Sequence, residues 1–144
     1  MDADEIMKEN FYSQLDTILS NIPKKDEIIL LGDFNDRVGR DSKLWNGTIG
    51  KEGVGNSNAN GVLLLTKCTE HRLVITETLF HQRNKFKMSW KYLRLKHWHL
   101  IDYVIVQTRD CQDFLITRAM TSTDDCWTGH RLIHSCISIR IAPK

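Results

Sequence analysis

The sequence contains no apolar run near 18 residues, and its N-terminus has no hydrophobic segment of the signal-peptide kind. Neither a membrane span nor a secretory leader is expected, and the chain reads as intracellular, nuclear or cytoplasmic, with no membrane partner. Without such a leader, Asn46-Gly47-Thr48 reads as a chance match to a glycosylation sequon. No two of the four cysteines, Cys68, Cys111, Cys126 and Cys136, stand in a CxxC pair. That spacing argues against a structural zinc site, and the cysteines read as buried thiols in a reducing compartment. Internal repeats and low-complexity linkers are also absent. The 144 residues therefore suit one domain, or a piece of a larger one. At 41% hydrophobic and 26% charged, the chain has the composition of a globular protein.

The net charge of +2 conceals a division. Residues 1–36 carry nine acids and three bases, and the remainder carries seventeen bases and nine acids. Acid is missing altogether from His81 to His99, where Arg83, Lys85, Lys87, Lys91, Arg94 and Lys96 are interleaved with Phe86, Trp90, Tyr92 and Trp98. Basic side chains neutralise phosphates, and aromatic faces stack on bases. A strand with aromatics in the core and lysines in water would give a similar pattern. The clustering of six bases favours nucleic acid, and DNA is the expected partner.

Ile28–Asn35, IILLGDFN, is a short β-branched-rich run ending in a glycine, which predicts a buried strand that turns at Gly32. Asp33 and Asn35 then fall on one face of the strand end. An acid beside an amide can hold a divalent cation or orient a water, and it can equally form an Asx-type turn. Met1–Asn21 predicts a helix through Ile6, Phe11, Leu15 and Ile18–Leu19, ended by Pro23. Arg37–Asn60 is a long glycine-rich loop, of a kind that is usually functional or mobile. Asn56–Gly61 caps a second helix running to about Arg72. Strands are expected over Leu73–Phe80, Lys87–Leu93, Leu100–Gln107, Phe114–Met120 and Arg131–Ile141, forming a mainly antiparallel sheet. Asp102, inside an apolar run, requires a partner, for which histidine is well suited. His130 lies at the rim position just before the last strand.

Taken in order, Gly32-Asp33-Phe34-Asn35, Asn58-Ala59-Asn60-Gly61, Lys87-Met88-Ser89-Trp90, Ile101-Asp102-Tyr103 and Gly129-His130 resemble the C-terminal half of an endonuclease/exonuclease/phosphatase domain. This is the fold of abasic-site endonucleases and DNase I. The resemblance extends from about Phe11 to Ile139. It is closest to the endonuclease domains of non-LTR retrotransposons and to the craniofacial development protein 2-like proteins. Cys126-Trp127-Thr128-Gly129-His130-Arg131-Leu132 and Thr117-Arg118-Ala119-Met120 are typical of that subgroup.

The resemblance implies an α+β fold, a partial DNase I-like sandwich, and Mg²⁺-dependent phosphodiester hydrolysis. By the same resemblance Asp33 orients or deprotonates the attacking water, and Asn35 binds the scissile phosphate. His130 stabilises charge on that phosphate, and Asp102 holds His130 in its productive tautomer. Gly129 stands where the family has an aspartate, and the family's N-terminal metal-binding Asn and Glu have no counterpart before Asp33. The resemblance therefore also implies weak or absent activity, a sheet face left uncovered, and self-association or a partner that covers it. A catalytically dead nucleic-acid-binding remnant is the alternative.

Overall fold

The computed structural model describes residues 3–34, 36–92, 97–121 and 130–138. The first helix, α1, spans Ala3–Asn21. It turns Tyr12, Leu15 and Leu19 into the core and leaves Ile6, Phe11 and Ile18 exposed. The buried stripe is thus rotated from the one expected. Tyr12 is used because its hydroxyl finds a carboxylate inside, donating to Asp36 Oδ2 at 3.2 Å. Asp16 joins α1 to the second helix, α2 (Ala59–Glu70), and the residue that caps it, through Lys67 at 2.9 Å and His71 at 2.7 Å. These two contacts lower the Asp16 pKa, His71 contributing first.

The central sheet has three strands in the order β1 (Ile29–Asp33), β5 (Asp102–Gln107), β2 (Leu73–Ile75), all antiparallel. Side chains alternate across β5. Tyr103 and Ile105 face a core with Leu64, Leu65 and Cys68 of α2, while Val104 and Val106 face Phe114. On that second face lies a hairpin of β6 (Phe114–Ala119) and β7 (Ile133–Ile137). A third pair joins β3 (Trp90–Tyr92) to β4 (His97–His99). The single sheet expected is therefore three small antiparallel ones.

The strand expected over Leu73–Phe80 stops at Ile75, because the next side chains take over the hydrogen bonding. Thr76 Oγ1 donates to the Val104 carbonyl at 2.7 Å, and the Val104 N–H donates to Glu77 Oε1 at 2.6 Å. Residues Thr76–Thr78 then wind into a 3-10 turn. Another 3-10 turn at Asn84–Phe86 shortens the strand expected from Lys87, and β4 was not expected. Among the described cysteines only Cys68 is buried; Cys111 and Cys136 are partly exposed and free. Burial pushes the Cys68 thiol up to about 12. No helix among the described residues is long and apolar enough to cross a membrane.

β1 is an edge strand with four of its five residues exposed, and Leu31 is 66% exposed. Together with Met7 and Phe11 it borders a cleft of about 450 Å³ that opens beside Asp33. The long loop between β1 and α2 is pinned. Val38 and Ile49 are buried, and the Ile75 N–H donates to the Thr48 carbonyl at 2.9 Å. Asn58 Oδ1 accepts from the Gly61 N–H at 2.7 Å and from the Arg37 N–H at 3.1 Å, joining the helix start to the chain that leaves the strand.

Gly61 has no room for a side chain, since a Cβ there would meet the Arg37 carbonyl oxygen at 1.6 Å. Helix propensity alone would make Gly61→Ala stabilising by about 1 kcal/mol. We expect the clash to prevail and to destabilise by about 2–3 kcal/mol. The expected result is a lower urea midpoint at unchanged slope; a midpoint that rises would show that the Arg37 segment yields freely.

Candidate active site

The β1–β5 register sets Asp33 directly opposite Asp102, at the end of the central sheet. Two like charges in a cross-strand pair repel unless something intervenes. His130 does so. Its Nδ1 lies 3.0 Å from Asp102 Oδ2, a hydrogen bond. Its Nε2 lies 3.7 Å from Asp33 Oδ2, an electrostatic contact beyond hydrogen-bonding distance. A carboxylate only accepts, so Nδ1 carries the proton it gives to Asp102. Side-chain exposure rises outward from Asp102 at 15% through His130 at 31% to Asp33 at 47%. The three therefore run from a shielded end to an open one.

His130 is held by the small β3–β4 sheet. It forms an isolated antiparallel bridge with Trp90, whose ring stacks on His99 at 6.0 Å and lies 6.3 Å from the His130 ring. The next residue, Arg131, is buried. Its guanidinium lies 3.8 Å over the Trp98 ring, and its Nη1 donates to the carbonyls of Lys85 and Met88. The Arg131 N–H donates to the Ser89 carbonyl at 2.7 Å.

Three buried residues around this constellation were given no role of their own by the sequence, although Ser89 and Tyr103 stand in motifs that carry the resemblance. Ser89 is fully buried and accepts from the N–H groups of Ile101 and Asp102. Tyr103 is also buried; its hydroxyl lies 2.8 Å from the carbonyls of Asp36 and Leu100. Glu77 is fully enclosed, and burial, reinforced by the charge of Asp102, raises its carboxyl to about 8. Only its place after a short apolar run signalled it, since a buried acid and a surface acid are the same letter.

Asp33, Asp102 and His130 present ligand atoms within 4.8 Å of one another. Mg²⁺ takes one or two carboxylates from a protein and fills its remaining positions with water and phosphate oxygens. Asp33, Asp102 and the His130 ring nitrogen form a donor set that can hold a divalent cation, Asp33 offering the most exposed oxygen. Asn35 and Gly129 lie outside the described residues, as do Arg94, Lys96 and Cys126-Trp127-Thr128. Arg83 and Lys85 are exposed, and Lys91 lies 5.7 Å from the Trp98 ring. Lys87 is buried, with its ammonium 3.5 Å from Glu52.

Craniofacial development protein 2 of Bos taurus is 31% identical over 144 residues, 99% of this chain and 24% of that protein. The protein of the same name from Tragulus javanicus is also 31% identical, over 99% of the chain and 25% of its own length. Among solved structures, the 3'-5' exonuclease NExo from Neisseria meningitidis superposes with a TM-score of 0.68 at 16% identity, over 96% of this chain and 56% of that one. The chain is a relative of craniofacial development protein 2 and carries the endonuclease/exonuclease/phosphatase fold. The 3' phosphatase NExo from Neisseria, in a variant bound to product DNA hairpin, matches with a TM-score of 0.67 at 16% identity, over 94% of this chain and 55% of that one. No family model matches the chain. The chain spans about a quarter of the length of the curated relatives it matches. The α+β class expected from the sequence is the one observed, and the antiparallel strands of the endonuclease/exonuclease/phosphatase fold converge on Asp33, Asp102 and His130.

Proposed function

We propose that this chain is an endonuclease-like phosphodiester hydrolase domain of retrotransposon origin, acting slowly on DNA with Mg²⁺. The observation that carries this reading is His130 held between Asp102 and Asp33 at the open end of the sheet. Asp33 is the exposed carboxylate that orients a water or takes its proton. Asp102 keeps the proton on Nδ1, so that the Nε2 lone pair faces Asp33 and the open side; the proton given up by the water passes to it, and the imidazolium so formed stabilises charge on the phosphate. Asn35 adds an amide to hold the phosphate. Mg²⁺, when bound, neutralises phosphate charge that the side chains alone would leave exposed. Activity is slow because Gly129 supplies no carboxylate where the family has an aspartate.

DNA is the favoured polyanion because Lys91 lies by the Trp98 ring, and Arg83 and Lys85 are exposed in a stretch of sequence without an acid that also carries Arg94 and Lys96. Lys87 is left out of this surface, its charge being met by Glu52. The likeness to NExo, a 3' phosphatase bound to product DNA hairpin, supports the same substrate class. An intracellular setting, nuclear or cytoplasmic, goes with it. The exposed Leu31 and Phe11 favour self-association or a covering partner at the edge of β1.

The test is nicking of supercoiled plasmid with Mg²⁺ by the full chain beside Asp33→Ala and His130→Ala. Slow nicking that both substitutions abolish is expected, and it should stop with EDTA. Equal nicking by all three would assign the activity to a contaminant. If none nicks while DNA binding weakens steeply with salt, the chain is a nucleic-acid-binding remnant of the fold instead.

A further inference from the structure

Ser89 has no role in the chemistry described so far, yet three segments of the site meet on it. Its N–H donates to the His99 carbonyl at 2.9 Å, tying it to β4. Its side-chain oxygen accepts from Ile101 N–H at 3.0 Å and from Asp102 N–H at 3.1 Å. Its carbonyl accepts from Arg131 N–H at 2.7 Å. Ser89 is 0% exposed, so no water substitutes for any of these contacts.

The location explains why a side chain is needed. Between β4 and β5 the chain leaves the small sheet and enters the central one. At Ile101 the carbonyl has already crossed and accepts from the Phe34 N–H at 3.1 Å. The N–H groups of Ile101 and Asp102 point the other way at this corner, where no strand is in register to receive them. A buried N–H left without an acceptor is costly, and one hydroxyl oxygen with two lone pairs serves both.

We propose that Ser89 is the positioning residue of the Asp102–His130 pair. Its Oγ fixes the backbone of Asp102, and its carbonyl fixes the residue after His130. One buried residue thus sets the separation across which His130 Nδ1 meets Asp102 Oδ2 at 3.0 Å. Buried Arg131, braced on Trp98 and on the carbonyls of Lys85 and Met88, holds the segment leading into β3, on which Ser89 lies. Serine suits the corner because its oxygen lies one bond from Cβ. Alanine loses the acceptor, and cysteine offers a weak, larger one.

The proposal rests on the reading of Asp102 and His130 as the reacting pair, so its test includes a measurement that needs no cleavage. Long-range nitrogen–proton NMR of the histidine rings in the full chain reads the tautomer of His130, assigned by the signal that His130→Ala removes. Unsubstituted protein is expected to show one tautomer with the proton on Nδ1. Ser89→Ala is expected to show an average of both tautomers, and Ser89→Thr, which keeps the hydroxyl, to restore the single one. Where nicking is measurable, Ser89→Ala should lower kcat by about 10- to 100-fold at unchanged KM, the usual cost of losing an orienting partner. If Ser89→Ala does not fold, Ser89→Cys decides in the same way. A folded variant lacking the hydroxyl whose His130 ring signals match the unsubstituted protein would overturn the proposal. Absence of nicking in every form, with the ring signals moving as expected, would instead count against the hydrolase reading and leave Ser89 in its role.

Discussion

In the nicking assay, Asp102→Asn is expected to fall at least about 10²-fold below the unsubstituted chain, to the level of His130→Ala, without loss of stability. Asp102 accepts from His130 Nδ1 at 3.0 Å, and it is the most shielded member of the site. An asparagine of the same shape can offer an amide N–H there as readily as an oxygen, and the ring then answers by moving its proton to Nε2. The nitrogen facing Asp33 and the open side would be blocked. Stability moves little because the substitution also removes one of two carboxylates set opposite each other in the β1–β5 pair. A change within about 1 kcal/mol is expected, the scale of such cross-strand charge terms. Urea titration beside the assay checks this. Activity that survives Asp102→Asn would remove Asp102 from the mechanism, and parallel loss of activity and stability would make it a structural residue.

Glu77 governs the largest expected effect on stability, and the effect depends on pH. Its folded carboxyl is raised to about 8 by burial, with the charge of Asp102 adding to the rise, whereas an unfolded glutamate titrates near its ordinary value of 4.5. Between these values the native state holds a proton that the unfolded state has released, so stability falls as pH rises from about 4.5 through 8 and then levels. A shift of this size corresponds to a loss on the order of 5 kcal/mol across that window. Asp36, raised mainly by burial, contributes in the same direction.

Glu77→Gln removes the titration. Its amide oxygen can still accept from Val104 N–H, as Oε1 does at 2.6 Å. Its NH₂ would occupy the position of Oε2, which has no hydrogen-bond partner among the described residues, at a cost of about 1–3 kcal/mol. The variant should therefore be similar to or less stable than the unsubstituted chain near pH 5 and more stable at pH 9. Urea midpoints at the two pH values test it, and curves that stay parallel would mean that Glu77 does not carry the proton.

Much of the architecture was legible in the sequence because it follows from patterns with short reach. The run Ile28–Leu31 specifies a strand, though not the burial or the turn at Gly32 expected of it: β1 is an exposed edge that stays paired through Gly32 to Asp33. Asn58 specifies the start of α2 through a cap that the structure contains. Asp102 in an apolar run demanded a partner, and His130 is that partner. The failures share one cause, side chains that replace backbone in a hydrogen-bond ladder. Thr76 and Glu77 end β2 by bonding to Val104, and nothing in their spacing announces it. Ser89 serves a corner whose two donors lie twelve and thirteen residues away. Lys87 looked like its basic neighbours, and only the fold shows its chain buried and its charge answered by Glu52. The face of α1 shifted because Tyr12 found Asp36, a partner 24 residues distant.

Asp33 and Asp102 belong to the central sheet, while His130 hangs from the small one through its bridge to Trp90. The site is therefore a joint between two bodies. The distance from the ring to Asp33 depends on how the two sheets meet. A partner leaning on the exposed edge of β1 would press on one side of that joint, and a polyanion gripping Arg83 and Lys85 would press on the other. A polyanion bound there as proposed would then influence the gap in which its phosphate is met.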